Sequence, residues 1–299
     1  MFKNFIIAFF AIYIGMAKSS EFTVMFNPGG VSDILTRYTA NEMGNEYSVV
    51  NRPGAGGRIA IRHMLAEGTP ALATMAQVYV TNTIKYDNLE YNPDTDIETI
   101  GVVGVMPNAL VCRKDLPINT LEEFINHNEP LAFGIGGYGS GEHMATEALF
   151  TRATVRHILA PFAKGGSTAV VALAGGHVDC MFGNYPTVKA WVNDPKVKVI
   201  FTSHEVGLGV PTWNSVFGED FPFQNMISVI LPKNMDPSQN EKIKRDVRHA
   251  FAKEGFKDGL AELGMFPIAE TDAKSIQRAL DNNIVTRNFI LFNNVKLTN

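Results

Sequence analysis

Residues 22–57 set one local pattern down twice in a row. The apolar run Phe22–Phe26 meets Asn27-Pro28-Gly29-Gly30, and an amphipathic segment follows from Ser32 to about Met43. A second run, Tyr47–Val50, meets Asn51-Arg52-Pro53-Gly54-Ala55-Gly56-Gly57, with another amphipathic segment, Arg58–Glu67, behind it. The pattern predicts strand, glycine loop and helix, twice, so both loops fall at one edge of a parallel sheet. Glycine lets a loop aim its N–H groups at one point without a Cβ in the way. A helix starting after such a loop adds unpaired N–H groups and the positive end of its dipole. Together they predict a site for a small anion.

The pattern returns further on. Leu131–Ile135 is read as a strand, Gly136 to Gly141 as a loop and Glu142–Arg152 as a helix. His157–Pro161, the loop 162–167 and the helix Thr168–Ala174 repeat it. Between the halves, Ala71–Ala76 is a buried strand ending near Gln77, and 86–96 is a loop. The stretches 100–106 and 109–112 are extended, and Thr120 with Glu123 three residues on predicts a capped helix start. Val178–Phe182 and Val197–Thr202 are further strands, with Thr187–Val192 helical between them. Met226–Leu231 is a return strand; Pro237 opens a long charged helix, and two more helices, 256–263 and 273–291, close the chain. The fold class is therefore α/β, in two halves of two strand–loop–helix units each.

At 299 residues the chain is long enough for two domains, and 45% hydrophobic with 19% charged content describes a globular protein. A net charge of -4 without a basic stripe excludes nucleic acid as a partner. Lys3 followed by the apolar block Phe5–Met16 and Gly15-Met16-Ala17 reads as a signal peptide over residues 1–17, too short to be a membrane span. The mature protein is expected to be exported, and periplasmic.

Several constellations suggest chemistry and fall short of it. Gly134-x-Gly136-x-x-Gly139 matches a dinucleotide fingerprint, but residues 154–162 lack the ribose-binding carboxylate that would confirm it. The loop is read as an anion loop, with a plain tight turn as the alternative. His143 and Glu147 share a helix face without a third metal ligand nearby. No nucleophile motif appears, and Asp33 and Asp179 read as structural carboxylates. We therefore expect no catalytic residues, no metal and no cofactor. Cys112 and Cys180 are open between a disulfide and two buried thiols.

Residues 24–33 (VMFNPGGVSD) and 49–57 (VVNRPGAGG) resemble the TctC or Bug type receptors of tripartite tricarboxylate transporters. Residues 115–124 (DLPINTLEEF), 161–166 (PFAKGG) and 172–182 (ALAGGHVDCMF) follow in the same order, so the resemblance spans the mature chain. It implies a type II periplasmic binding protein, two α/β domains joined by two crossover strands with a ligand cleft between them. Domain 1 would be 18–103 plus 225–299, and domain 2 would be 104–224. It also implies a monomer that holds a small carboxylate and delivers it to membrane transporter subunits. Carried over residue by residue, the ligand-binding set is Pro28, Gly29, Gly30 and Asp33 in the first loop, and Gly54, Ala55 and Gly56 in the second. Gly139, Ser140 and His143 match a domain 2 loop, Lys164, Gly165 and Gly166 the next one, and Asn184 a strand end; Gln77 joins them at its own strand end. Met25 stands where the family often has proline, and Gly183 where some members have an aspartate that could meet a ligand amino group, which argues against an amino acid ligand. The competing readings are an α/β enzyme using a nucleotide or phosphate, and a ligand-sensing module.

Overall fold

A computed structural model describes residues 20–298 apart from residues 45 and 163. The expected signal peptide lies outside them. The strands are β1 (Ser20–Val24), β2 (Tyr47–Asn51), β3 (Ala71–Thr74), β4 (Ile97–Met106), β5 (Asn108–Arg113), β6 (Leu131–Ile135), β7 (His157–Pro161), β8 (Cys180–Asn184), β9 (Val197–Thr202), β10 (Asn225–Pro232) and β11 (Phe266–Glu270). They form two sheets, ordered β11-β4-β10-β3-β1-β2 and β7-β6-β8-β5-β9. Each half is an α/β unit around its own sheet.

The expected strand–loop–helix units are parallel pairs. β1 pairs with β2 and β3 in parallel, as β6 does with β7 and β8. Their loops therefore open at the C-terminal ends of the strands, where open α/β sheets bind ligands. β4 passes through Pro107 directly into β5, so one residue separates the two sheets. The chain returns through β10, antiparallel to both β3 and β4. Two crossovers thus join the halves, and Met106 and Asn225 face each other in register at the joint.

Four segments depart from the sequence reading. The strand at 71 stops at Thr74, and Gln77–Thr81 forms a π-helical turn running into the helix Asn82–Lys85. Such turns are rare and common near functional sites. Within the expected loop 86–96, Pro93–Asp96 makes one helical turn, with Asn92 as N-cap. The helix Trp213–Phe217 was not expected: its capping box uses Ser215 where the usual signal is Glu or Gln. Trp213 is fully buried there among Phe201, Phe217 and Phe221. β11 was hidden by Pro267, and it lies at a sheet edge, where a missing N–H costs least.

Cys112 and Cys180 face each other on β5 and β8 and form a disulfide. It ties the strand that enters the second half to the strand ending at Asn184.

Candidate functional site

The first glycine loop uses its own glycine N–H groups. Gly29 N donates to Asp33 Oδ2 at 2.9 Å and Gly30 N to the Asn27 carbonyl at 3.3 Å. Asp33 also pairs with Arg37 at 3.0 Å. Burial pushes its carboxyl up, but hydrogen bonds from Arg37, Gly29 N and Asn51 outweigh that and hold it below the usual range. Asp33 is thus a brace for the loop. The helix that follows, Val31–Met43, has Gly30 as N-cap and no side-chain cap. Its first-turn N–H groups, not those of the glycines, are offered at a cleft lined by Gly30, Val31 and Ser32.

The second glycine loop stands behind the first. Asn51 Nδ2 donates to the Phe26 carbonyl at 2.9 Å, and Asn82 Nδ2 to the Gly56 carbonyl at 3.0 Å. A Cβ on Gly57 would collide with the Met25 side chain. That close packing gives Met25 its place.

The cleft runs between the two sheets and encloses about 480 Å³ of empty space, its open mouth included. Hydrogen bonds bridge the halves, among them Asn27 Nδ2 to the Lys164 carbonyl at 3.3 Å, Thr81 Oγ1 to the Gly139 carbonyl at 2.9 Å, and Lys85 Nζ to the Tyr138 carbonyl at 3.1 Å. On the far side, Ser140 caps the helix Gly141–Phe150, its Oγ accepting from His143 N. Gly139 N donates to His143 Nδ1 at 3.0 Å. That bond assigns the ring proton to Nε2, which lies 3.3 Å from Glu147 Oε1. His143 is fully buried and shapes the loop without lining the cleft. The helix Gly166–Ala174 begins at Gly165 without a side-chain cap, and Lys164 to Ser167 line the cleft beside it.

Glu142 lies between these two helix starts. Its carboxyl is buried, with Oε1 accepting from Asn184 Nδ2 at 2.7 Å. Asn184 Oδ1 in turn accepts from Asn225 Nδ2 at 2.8 Å and Asn108 Nδ2 at 3.3 Å. A Cβ on Gly136 would come within 2.6 Å of Glu142 Oε2, and one on Gly166 within 3.1 Å of its carboxyl carbon. These two glycines are there for space, because neither has a positive φ. Burial pushes the Glu142 carboxyl up, against hydrogen bonds from its own backbone, Ser140 and Asn184.

Of the residues expected from the sequence, Gly30, Gln77, Ser140, Lys164, Gly165, Gly166 and Asn184 meet at the cleft wall. Pro28, Gly29, Asp33, Gly54, Ala55, Gly56, Gly139 and His143 do not line it; the contacts above place Gly29, Asp33, Gly56, Gly139 and His143 in the loops behind. Sequence reasoning missed Glu142, Ser167, Thr74 and Asn225, which all line it. Glu142 carried a signal, a carboxylate directly after a glycine loop at a helix start; Asn225 carried none, because only the return of β10 brings it there. Among the described residues no cluster of three or more metal-ligating side chains occurs. No helix of theirs is long and apolar enough to cross a membrane.

The model of the tripartite tricarboxylate transporter family receptor, TctC, matches residues 34–294. The chain is 26% identical over 271 residues to Protein BugT of Bordetella pertussis, covering 85% of this chain and 83% of that one. It is 25% identical over 269 residues to a protein of the TAR-I ttuE-ttuC' intergenic region of Agrobacterium vitis, covering 84% and 77%. Among solved structures, an R. palustris protein with adipate superposes with a TM-score of 0.83 at 20% identity, covering 93% of this chain and 97% of that one. The periplasmic binding protein BugD gives 0.81 at 22%, covering 93% and 98%. MatC from Rhodopseudomonas palustris with bound malate gives 0.79 at 22%, covering 91% and 98%.

Proposed function

This chain belongs to the tripartite tricarboxylate transporter receptor family, and from that premise we propose that it captures a small carboxylate in the cleft between its two domains and presents it to a membrane transporter. The observation that carries the reading is the pair of uncapped helix starts, Val31–Met43 from one half and Gly166–Ala174 from the other, brought to one cleft. Their N–H groups and the Ser167 hydroxyl supply donors, and Lys164 supplies a cation at the same wall. Charge-assisted hydrogen bonds of this kind are the strong ones. Each helix end adds about 0.3–1 kcal/mol for an anion, and more where it is partly buried. Binding at about 1 μM requires a net of about 8 kcal/mol, within reach of several such bonds plus apolar contact with Phe26 and Met106.

Closure would pivot at the two crossovers near 104–112 and 225–231, drawing domain 2 (104–224) onto domain 1 (18–103 with 225–299) and excluding water. The protein works as an exported periplasmic monomer and performs no chemical step. BugD is a periplasmic binding protein, and two structural neighbours hold adipate and malate, which agrees with this reading.

A thermal-shift screen of the mature chain tests it, with small carboxylates on one arm and nucleotides and inorganic phosphate on the other. A ligand at 100 times its Kd stabilises the native state by about 2.7 kcal/mol. Saturable stabilisation by one or a few carboxylates is expected. Stabilisation by nucleotides with silence from every carboxylate would overturn the reading in favour of a nucleotide-using enzyme.

A further inference from the structure

The domain 2 side of the cleft already contains a carboxylate. Glu142 reaches from the first turn of the helix Gly141–Phe150 to the start of Gly166–Ala174, and fills the space that the glycines Gly136 and Gly166 leave open. The groups acting on Glu142 are its own backbone, Ser140 and Asn184, and none is a cation.

The neighbouring amides follow from that carboxylate. Asn184 donates to Glu142, so its Oδ1 must accept, and it accepts from Asn225 Nδ2. The orientation of Asn225 is thereby set, and its Oδ1 has no hydrogen-bond partner among the described residues. Gln77 Oε1, in the same half as Asn225, also has none. Asn225 is 1% exposed and Gln77 4%, and both line the cleft. A buried acceptor left unpaired costs about 1–3 kcal/mol, so the wall built by Glu142, Asn225 and Gln77 favours a ligand that brings donors.

We propose, resting on the receptor reading above, that the cleft selects a carboxylate carrying a protonated amine, with the amine directed at Glu142 and its carboxylate at the helix start Val31–Ser32 and at Lys164. A ligand ammonium brings Glu142 the cation that its surroundings lack and brings donors to Asn225 and Gln77, whereas a second ligand carboxylate brings neither. Glu142 supplies from domain 2 the acidic partner that Gly183 does not, which reverses the expectation drawn from Gly183.

The test is titration calorimetry at pH 7.5 on wild type and Glu142→Gln, with dicarboxylates and aminocarboxylates of matched chain length. In wild type, aminocarboxylates bind and the matched dicarboxylates bind at least tenfold more weakly or not at all. Glu142→Gln keeps an acceptor for Asn184 and offers an N–H₂ to the ligand. It loses ten- to a hundredfold in affinity for the aminocarboxylate, the range for a hydrogen bond to a charged group, and gains on the dicarboxylate. Wild-type preference for a dicarboxylate, or unchanged aminocarboxylate affinity in a folded Glu142→Gln, overturns the proposal. The wild-type comparison stands without the variant, should the variant not fold. Silence from both ligand classes would instead overturn the receptor reading beneath it.

Discussion

Replacing Gly166 with alanine asks directly where the Glu142 carboxyl is. Gly166 opens the helix Gly166–Ala174 and has no positive φ, so alanine there is conformationally acceptable. On propensity alone Gly→Ala inside a helix stabilises by up to about 1 kcal/mol, and by less in the first turn. Against this, the added Cβ would sit 3.1 Å from the Glu142 carboxyl carbon and closer still to Oε1. The carboxyl cannot yield freely, because Asn184 holds it at 2.7 Å and Gly136 closes off its other side. Overpacking of this kind costs about 1–3 kcal/mol. The clash wins, and Gly166→Ala is expected to destabilise the protein by about 1–2 kcal/mol. In a Glu142→Ala background the obstacle is gone, and the same substitution should be neutral or stabilising by about 0.5 kcal/mol. The coupling between the two sites is then about 2 kcal/mol, within the range found for residues in contact. Urea unfolding of wild type, both single variants and the double variant measures it. Costs that add to within about 0.5 kcal/mol would refute the placement of Glu142 between the two loops.

Loss of the Cys112–Cys180 disulfide, by reduction or by Cys→Ala at both positions, opens a sequence separation of 68 residues. By chain entropy the loss is about 4 kcal/mol, read as a lower midpoint in denaturant. Because burial raises the Glu142 carboxyl above its ordinary value of 4.5, the folded state holds that proton to higher pH than the unfolded state does. The free protein should therefore lose stability as pH rises from about 4.5 through the raised value, and be flat beyond it. Glu142→Gln should remove that slope, and a pH series of thermal melts on the two proteins would show it. Ser140→Ala removes the hydroxyl that accepts from His143 N. It should cost about 1 kcal/mol in a denaturant melt and weaken ligand binding in calorimetry.

What the sequence determined by itself is the local grammar. Apolar runs of four or five residues meeting glycine loops are read from neighbours in the chain, so the parallel pairs β1–β2 and β6–β7 were legible, as was Thr120 with its capping box. The return strand at 225–232 was legible too, because an apolar run between polar stretches has little choice but burial. β11 was not, since Pro267 masks a strand that only its edge position tolerates. The disulfide depended on the register of β5 against β8, a fact of pairing between strands nearly seventy residues apart. The candidate site divides in the same way. Its glycine loops and helix starts could be named from spacing, but which N–H groups they leave free could not. Asp33 and Asn27 take the glycine N–H groups of the first loop, and His143 takes that of Gly139. Glu142, Asn184 and Asn225 come from a helix start, a strand end and a crossover, and nothing in their separate neighbourhoods predicts that one would orient the next. A hydrogen-bond chain acquires its polarity from the carboxyl at its end, and only the folded structure brings that end to the cleft.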